Sequence, residues 1–439
     1  MSTIDKKVRV LPVSAGNRGT YSVCPICLKR ISARRITENG VTRLVKSCPE
    51  HGEFSAIIWR GMVDIESWAG KTAPVLPGEN DSCPNACGLC PDHRRGTCCT
   101  LLEVTRRCNM SCPYCFADGQ TPDPGLEEVC RQISALVKPG KTLLQLSGGE
   151  PTVRDDLPDI IRHAVKAGCK YIQLNTNGIR LARQKGYARE LAKAGLSFVF
   201  MQFDGLSDKV YTKLRGRKLM LEKLRAIKAC AAAGLGVALV PMIVPGVNDG
   251  EIGDILRFAV KNSPAVRGVH FQPVSYFGRA PGMPDDSARL TLDELMNAIY
   301  TQAPELVKPV ELRPGCCDHP LCGFHGDFIA VNGKLEPMRS EAAEERVCSG
   351  GEADRNREFI ARRWKRPASG KTVASRDIST MEGFLASARE CSFTVTAMAF
   401  QDAGNLDIER LRRCSLHVYD NGRFVPFCAY YLTAWENNK

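Results

Sequence analysis

Three cysteines stand on one short stretch, Cys108-Asn109-Met110-Ser111-Cys112-Pro113-Tyr114-Cys115-Phe116, spaced C-x3-C-x2-C with an aromatic residue on either side of the last. The stretch follows Leu101-Leu102-Glu103-Val104-Thr105, an apolar run that reads as a buried strand. The loop therefore leaves a strand end, where barrels and open α/β sheets place their chemistry. Three thiolates on one loop suit an iron–sulfur cube, a cofactor held by cysteine. Three ligands leave one iron of the cube open, as one position stays open on a catalytic zinc. A zinc knuckle, or a cluster closed by a distant fourth cysteine, is the plainer alternative.

Cysteine is abundant elsewhere, with 21 in 439 residues. Cys24-Pro25-Ile26-Cys27 and Cys48-Pro49-Glu50-His51 flank an alternating stretch from Ile36 to Val45. Two short ligand pairs around a hairpin are the layout of a zinc ribbon or rubredoxin-like site. Cys24, Cys27, Cys48 and His51 are thus candidate ligands of one mononuclear iron or zinc; His51 as a plain turn residue is the alternative. Trp59 and Trp68 follow and are expected to pack this knuckle onto the rest. Cys83, Cys87 and Cys90 repeat the C-x3-C-x2-C spacing, with Cys98 as a fourth thiol and Cys99 beside it. Four ligands close a cube, which reads as an electron relay or a structural cluster, with zinc as the alternative. Two loops thus compete for the open cube. The Cys108 loop is preferred because it follows a strand and precedes a strand–helix alternation. Cys130, Cys169, Cys230 and Cys391 read as core residues.

The alternation runs from 100 to about 290. Strands are expected at Leu143–Leu146, Tyr171–Leu174, Phe198–Phe203, Val237–Met242 and Gly268–Pro273. Between them, Asp123-Pro124 opens a helix as N-cap and N1. A helix over Leu157–Lys166 ends at Gly168, another presents Leu221, Leu224 and Ile227, and Asn248 caps one carrying Ile252 to Ala259. Serial strand–helix units imply parallel strands joined by right-handed crossovers. The fold class is α/β: a partial (β/α)6 TIM-like barrel with an N-terminal knuckle and a C-terminal extension. The expected divisions are 1–75 for the knuckle, 76–99 for the second cysteine loop, 100–290 for the barrel and 291–439 for the extension. The extension holds a helix from Thr291, a basic linker or exposed loop around Arg362–Arg376, and a strand over Phe393–Phe400. It ends in a hairpin turned by Asn421-Gly422. Polar residues collect where strands end: Gly148, Gly149 and Glu150, then Asn175, Thr176 and Asn177, then Asp204. Glycines there let backbone approach a ligand, and a carboxylate can pair with an ammonium. A tight strand-to-helix turn is the plain reading of the glycines, an N-cap that of Asp204, and a surface charge that of Arg215.

The C-x3-C-x2-C loop, followed at this separation by Gly148-Gly149-Glu150, resembles the radical S-adenosylmethionine (radical SAM) superfamily. The resemblance implies that SAM chelates the open iron through its amine and carboxylate, and that its reductive cleavage gives a hydrogen-abstracting 5′-deoxyadenosyl radical. Cys108, Cys112 and Cys115 would then hold a catalytic [4Fe-4S] cluster. Tyr114, Phe116, Gly148, Gly149, Glu150, Asn175, Thr176, Asn177, Asp204, Arg215 and Gln272 are the implied cofactor contacts, and no catalytic side chain is assigned beyond the cluster. Cys87-Gly88-Leu89-Cys90-Pro91-Asp92-His93, Gln202-Phe203-Asp204-Gly205 and Val269 to Arg279 are similar to one branch of that superfamily. The branch holds an archaeal pterin methylase group, a tetraether lipid synthase and a bacterial radical SAM (seleno)protein group. The likeness covers nearly the whole chain. It implies auxiliary clusters, one on Cys83, Cys87, Cys90 and Cys98, and another on Cys317, Cys322, Cys414 and Cys428. Four buried thiols are the plain reading of the last set. Gln272 to Arg279 would lie at the barrel mouth on the substrate side. The implied reaction is hydrogen abstraction from an unactivated C–H and carbon–carbon bond formation, by methylation or coupling of a pterin, lipid or peptide-like substrate. A flavodoxin- or ferredoxin-type reductant is the implied partner.

Composition narrows the field. A hydrophobic share of 44% fills a sizeable core, and the net charge of +12 is spread along the chain. A diffuse excess of this kind marks a solvated surface or an anionic partner more than nucleic acid. No stretch reads as a signal peptide or membrane span, since Ala231–Val247 is broken by glycine and proline. A cytoplasmic setting with reduced thiols follows, with contact at a membrane surface left open. Two rival classes are a multi-cluster electron carrier without SAM chemistry and a zinc-rich nucleic-acid-binding module.

Overall fold

The protein is described from a computed structural model over residues 19–70, 83–84, 87–116, 123–279, 283–315, 318–338, 354, 357–358, 363–367 and 380–435. Cys317 lies outside the described residues. The N-terminal knuckle is a four-stranded antiparallel sheet in sequence order: β1 Gly19–Val23, β2 Arg30–Glu38, β3 Val41–Cys48 and β4 Gly52–Trp59. Asn39 and Gly40 both have positive φ (52° and 81°), which makes the two-residue turn joining β2 to β3. One face of β2 and β3 is buried residue by residue in alternation, as the sequence period requires.

The remaining strands form one sheet of 13: β5 Cys99–Thr105, β6 Leu143–Gly148, β7 Tyr171–Thr176, β8 Phe198–Gln202, β9 Gly236–Val240, β10 Met242–Ile243, β11 Val266–Pro273, β12 Arg313–Pro314, β13 Gly323–Val331, β14 Lys334–Pro337, β15 Ser392–Met398, β16 Leu416–Asp420 and β17 Arg423–Pro426. The six expected barrel strands are present and parallel, in the order β5-β6-β7-β8-β9-β11. The extension does not stand apart from them. β15 adds in parallel beside β11, and β16 adds in parallel beside β5, so residues after 390 cover both edges. Beyond them, β13 adds antiparallel to β15 and carries β12 and β14, and β17 adds antiparallel to β16. The main core lies between this sheet and helices Leu126–Leu136, Leu157–Lys166, Tyr187–Ala194, Met220–Ala232, Ile252–Lys261 and Leu292–Gln302.

Three local expectations are corrected. Asp123 does not cap the first helix, which begins at Leu126 after Gly125. Its carboxylate instead accepts hydrogen bonds from Thr105 Oγ1, the Arg106 N–H and Arg107 Nε, at the end of β5. Helix Met220–Ala232 does not bury Leu221 and Leu224, which are exposed; Lys223, Ala226, Ile227 and Cys230 face inward. The expected exposed loop around 362–376 is packed where it is described. Trp364 is buried against Phe198 and Phe200, and its Nε1 donates to Thr394 Oγ1 at 2.9 Å. Gly236 makes room for the strap: a Cβ there would stand 2.0 Å from the Trp364 carbonyl oxygen.

The knuckle is welded on. Arg35, buried, bonds Asp407 and Glu409, and Lys46 donates to Ser22 Oγ and the Ala403 carbonyl. Trp59 enters the main core, and Trp68 donates to the Pro320 carbonyl. Both tryptophans act as the sequence suggests.

Candidate active site and metal centres

The Cys108 loop is seated by backbone. The N–H of Gly149 donates to the Thr105 carbonyl and that of Glu150 to the Arg107 carbonyl, each at 2.9 Å. A Cβ on Gly148 would lie 2.0 Å from the Thr105 oxygen, and one on Gly149 2.2 Å from the Arg107 oxygen. The two glycines therefore serve first to let β6 press against the cysteine loop, a close approach the sequence reading gave to a ligand. From the other side, the Arg279 N–H donates to the Cys115 carbonyl at 2.9 Å. Cys108 is exposed and Cys112 and Cys115 are half-buried.

The ends of β6, β7 and β8 are knotted together behind this loop. Glu150 is 1% exposed. Its Oε1 accepts from Thr152 N–H, Thr152 Oγ1 and Thr176 Oγ1, and its Oε2 accepts from the Asn177 N–H at 2.6 Å. Asn177 Nδ2 donates to Asn109 Oδ1 at 2.7 Å, which joins β7 to the cysteine loop. Asp204 and Arg215 form a buried two-point pair at 2.7 and 2.8 Å. Burial alone would lower the Arg215 pKa, but the Asp204 carboxylate more than offsets that and raises it, with a smaller contribution from nearby Cys112. Neither residue is the surface charge or simple cap of the plain reading. Lys223, fully buried, donates to the Asn177 carbonyl at 2.6 Å and to Gln202 Oε1 at 2.8 Å. Burial depresses its pKa to about 7.

In front of the loop lies a cavity of about 330 Å3, lined by all three cysteines, Tyr114, Phe116, Gly148 to Glu150, Asn175 to Asn177, Arg215 and Gln272. Much of the rest of its wall is apolar, with Leu101, Phe200, Val240, Trp364, Phe400 and Phe427. Phe116 packs against Phe427 and Tyr431 at centroid distances of 5.7 and 4.5 Å. In the knuckle, ligand atoms of Cys24, Cys27, Cys48 and His51 lie within 4.8 Å of one another, the spread of a single-ion site. His51 Nδ1 is 3.6 Å from Cys24 Sγ and 3.5 Å from Cys48 Sγ. Burial opposes ionisation of Cys48, but hydrogen bonds from His51 and nearby backbone prevail and bring its pKa to about 6, which suits a metal-binding thiolate.

Residues 102–259 match the radical SAM superfamily, and residues 17–60 match the HMPTM N-terminal zinc ribbon domain. The 7,8-dihydro-6-hydroxymethylpterin dimethyltransferase of Methanocaldococcus jannaschii is 33% identical, over 94% of this chain and 92% of that one. The chain belongs to the radical SAM superfamily. Part of the chain also matches a probable GTP 3′,8-cyclase of Methanothermobacter thermautotrophicus at 35% identity, over 38% of this chain and 55% of that protein. A GTP 3′,8-cyclase of Rhizobium etli matches at 34% identity, over 36% of this chain and 47% of that protein.

Radical SAM enzymes work with a [4Fe-4S] cluster and S-adenosylmethionine. The donor set here fits such a cube: three thiols on one loop, at a cavity wall, with a guanidinium beside Cys112. The other thiols fall into further groups. Cys83 is held down to about 7 by its hydrogen bond with Cys87, whose own pKa is pushed up by the same bond. Cys98 Sγ lies 3.8 Å from Cys99 Sγ, with Asp318 close enough to feel its charge. Cys322, Cys414 and Cys428 lie close enough that charge on one opposes ionisation of the next. Cys230 and Cys391 are buried, while Cys130 and Cys169 are half-buried.

Three features escaped the sequence reading, namely Lys223, His270 and Trp364, and Asp123 was read only as a cap. Lys223 was within reach, because positions 223, 226, 227 and 230 form one helical stripe with a single charge in it. His270, an inward position of β11, was legible by strand alternation. Among the described residues, no helix is long and apolar enough to cross a membrane.

Proposed function

We propose that this radical SAM enzyme is a transferase that attaches a carbon group, a methyl group first among them, to an unactivated carbon of a small ring-bearing substrate in the barrel cavity. The observation that carries the reading is the 33% identity with the M. jannaschii dimethyltransferase over 94% of the chain. A cavity of about 330 Å3 is of the size that takes a small molecule. When bound, the cluster and SAM supply the one-electron reduction and the hydrogen-abstracting radical.

The chain does the rest. Cys108, Cys112 and Cys115 would hold the cluster. Arg215, fixed by Asp204, lies near enough to Cys112 for its charge to act on the thiolate and so bears on the cluster potential, which local charge tunes. Tyr114, Phe116, Gly148 to Glu150, Asn175 to Asn177 and Gln272 line the SAM side. The apolar walls keep water from reactive species. Cys83, Cys87, Cys90 and Cys98 are the proposed ligands of one auxiliary cluster, and Cys317, Cys322, Cys414 and Cys428 of a second. Cys24, Cys27, Cys48 and His51 hold one iron or zinc. A flavodoxin- or ferredoxin-type protein delivers the electrons.

Anaerobic reconstitution followed by reduction with SAM present tests the reading. Wild-type protein forms 5′-deoxyadenosine, and Cys112→Ala forms none while keeping iron at its other sites. Absence of 5′-deoxyadenosine from reduced wild-type protein under every reductant tried would refute it.

A further inference from the structure

His270 has no part in the function described so far, yet it faces the cavity. It lies on β11, three residues before the strand ends at Pro273, and lines the cavity with Phe200, Val240 and Gln272.

Its tautomer follows from its neighbours. Nδ1 is 2.9 Å from Thr396 Oγ1, and Thr396 Oγ1 in turn donates to the Val269 carbonyl at 3.4 Å. A hydroxyl has one proton and two lone pairs. With that proton directed to the carbonyl, Thr396 accepts from Nδ1–H, and the ring's single proton is on Nδ1. Nε2 is then a bare acceptor. Burial pushes the pKa of the imidazole down to about 4, so the ring is neutral across the physiological range. The ring packs at 5.0 Å from Phe200, which packs at 5.3 Å from Trp364. Gln145 and Gln272 line the same cavity.

We propose that His270 is a specificity-determining residue whose bare Nε2 accepts a hydrogen bond from a ring N–H or O–H of the substrate, seating a planar nitrogen heterocycle against Phe200 and Trp364. The proposal deepens the function above and rests on its assignment of the barrel cavity to the substrate. A site built around a buried acceptor rejects an analogue lacking the donor, because the acceptor is left unpaired.

Fluorescence titration of the reconstituted full-length protein with 6-hydroxymethylpterin tests it, beside a ring-N-methylated analogue that lacks the donor. The wild type is expected to bind the parent compound at least tenfold more tightly than the analogue. His270→Phe, which keeps a flat ring and removes the acceptor, is expected to lose that preference, and His270→Gln to regain part of it through its amide oxygen. Iron content and circular dichroism report whether each variant has folded, and the two-ligand comparison on wild type stands without them. Equal affinity of wild type for the two ligands, no binding of either, or an undiminished preference in folded His270→Phe would overturn the proposal. Binding needs no SAM cleavage, so a failure to form 5′-deoxyadenosine would count against the transferase reading alone.

Discussion

The carbonyl oxygens of Thr105 and Arg107 leave no room for a side chain on Gly148, which ends β6, or on Gly149 after it. Gly149→Ala places a methyl group where backbone stands, and backbone cannot swing away as a flexible side chain can. The expected cost is about 2–3 kcal/mol, taken locally by the cysteine loop. The measurement is iron per chain with the cluster's electron paramagnetic signal: the catalytic signal falls while knuckle metal stays. A full catalytic signal would show that the loop does not need this contact. Lys223 gives a second residue-scale outcome, in pH. Its folded pKa of about 7 lies below the roughly 10.4 of an exposed lysine. Between those values the unfolded chain holds a proton that the folded chain sheds, so stability rises with pH, by up to about 1.4 kcal/mol per unit. Below pH 7 both states are charged and the burial cost is present in full. Lys223→Met should flatten the slope of the urea midpoint between pH 7 and 9; an unchanged slope would place the effect elsewhere.

At the scale of elements, sequence order and spatial order agree from β5 to β11, since each apolar run pairs with the next. That part of the fold was legible because a parallel sheet buried on both faces writes continuous apolar strands. The edges were not. β15 and β16 pair with β11 and β5, strands far back in the chain, and no periodicity in Phe393–Phe400 names a partner. The Trp364 strap was hidden for another reason: its basic, glycine- and serine-containing surroundings read as a linker, and a single tryptophan outweighed them. At the site, cysteine spacing made the loop legible, while the buried Asp204–Arg215 pair needed two elements brought together. A chain ending before Thr380 tests the edges. It keeps the six-strand barrel sequence but bares the hydrogen-bonding edges of β5 and β11, which invite pairing between copies. It should appear in the insoluble fraction or the void volume on size exclusion. A monodisperse monomer would mean that the extension is dispensable for the fold.

At the scale of the whole molecule, the metal knuckle is tied to both ends of the chain's architecture. Arg35 reaches Asp407 and Glu409 near β16, while the N–H groups of Arg60 and Met62 donate to Asp293 at the head of helix Leu292–Gln302. Trp59 is wholly buried in the same core as the barrel helices. Four strands of this size bury little on their own, so an ion held by Cys24, Cys27, Cys48 and His51 would fix the two turns and thereby the start of β2 and the end of β3. Loosening those ends withdraws Arg35 from two carboxylates that stay buried, and cutting a buried ion pair costs about 3–5 kcal/mol. Loss of the ion should therefore be felt at the barrel. Cys48→Ala is expected to lower the temperature of a single cooperative unfolding transition, followed by circular dichroism on protein whose iron and zinc contents have been measured. Two separate transitions, with the upper one at the wild-type temperature, would instead make the knuckle an independent appendage and the Arg35 contacts ornamental.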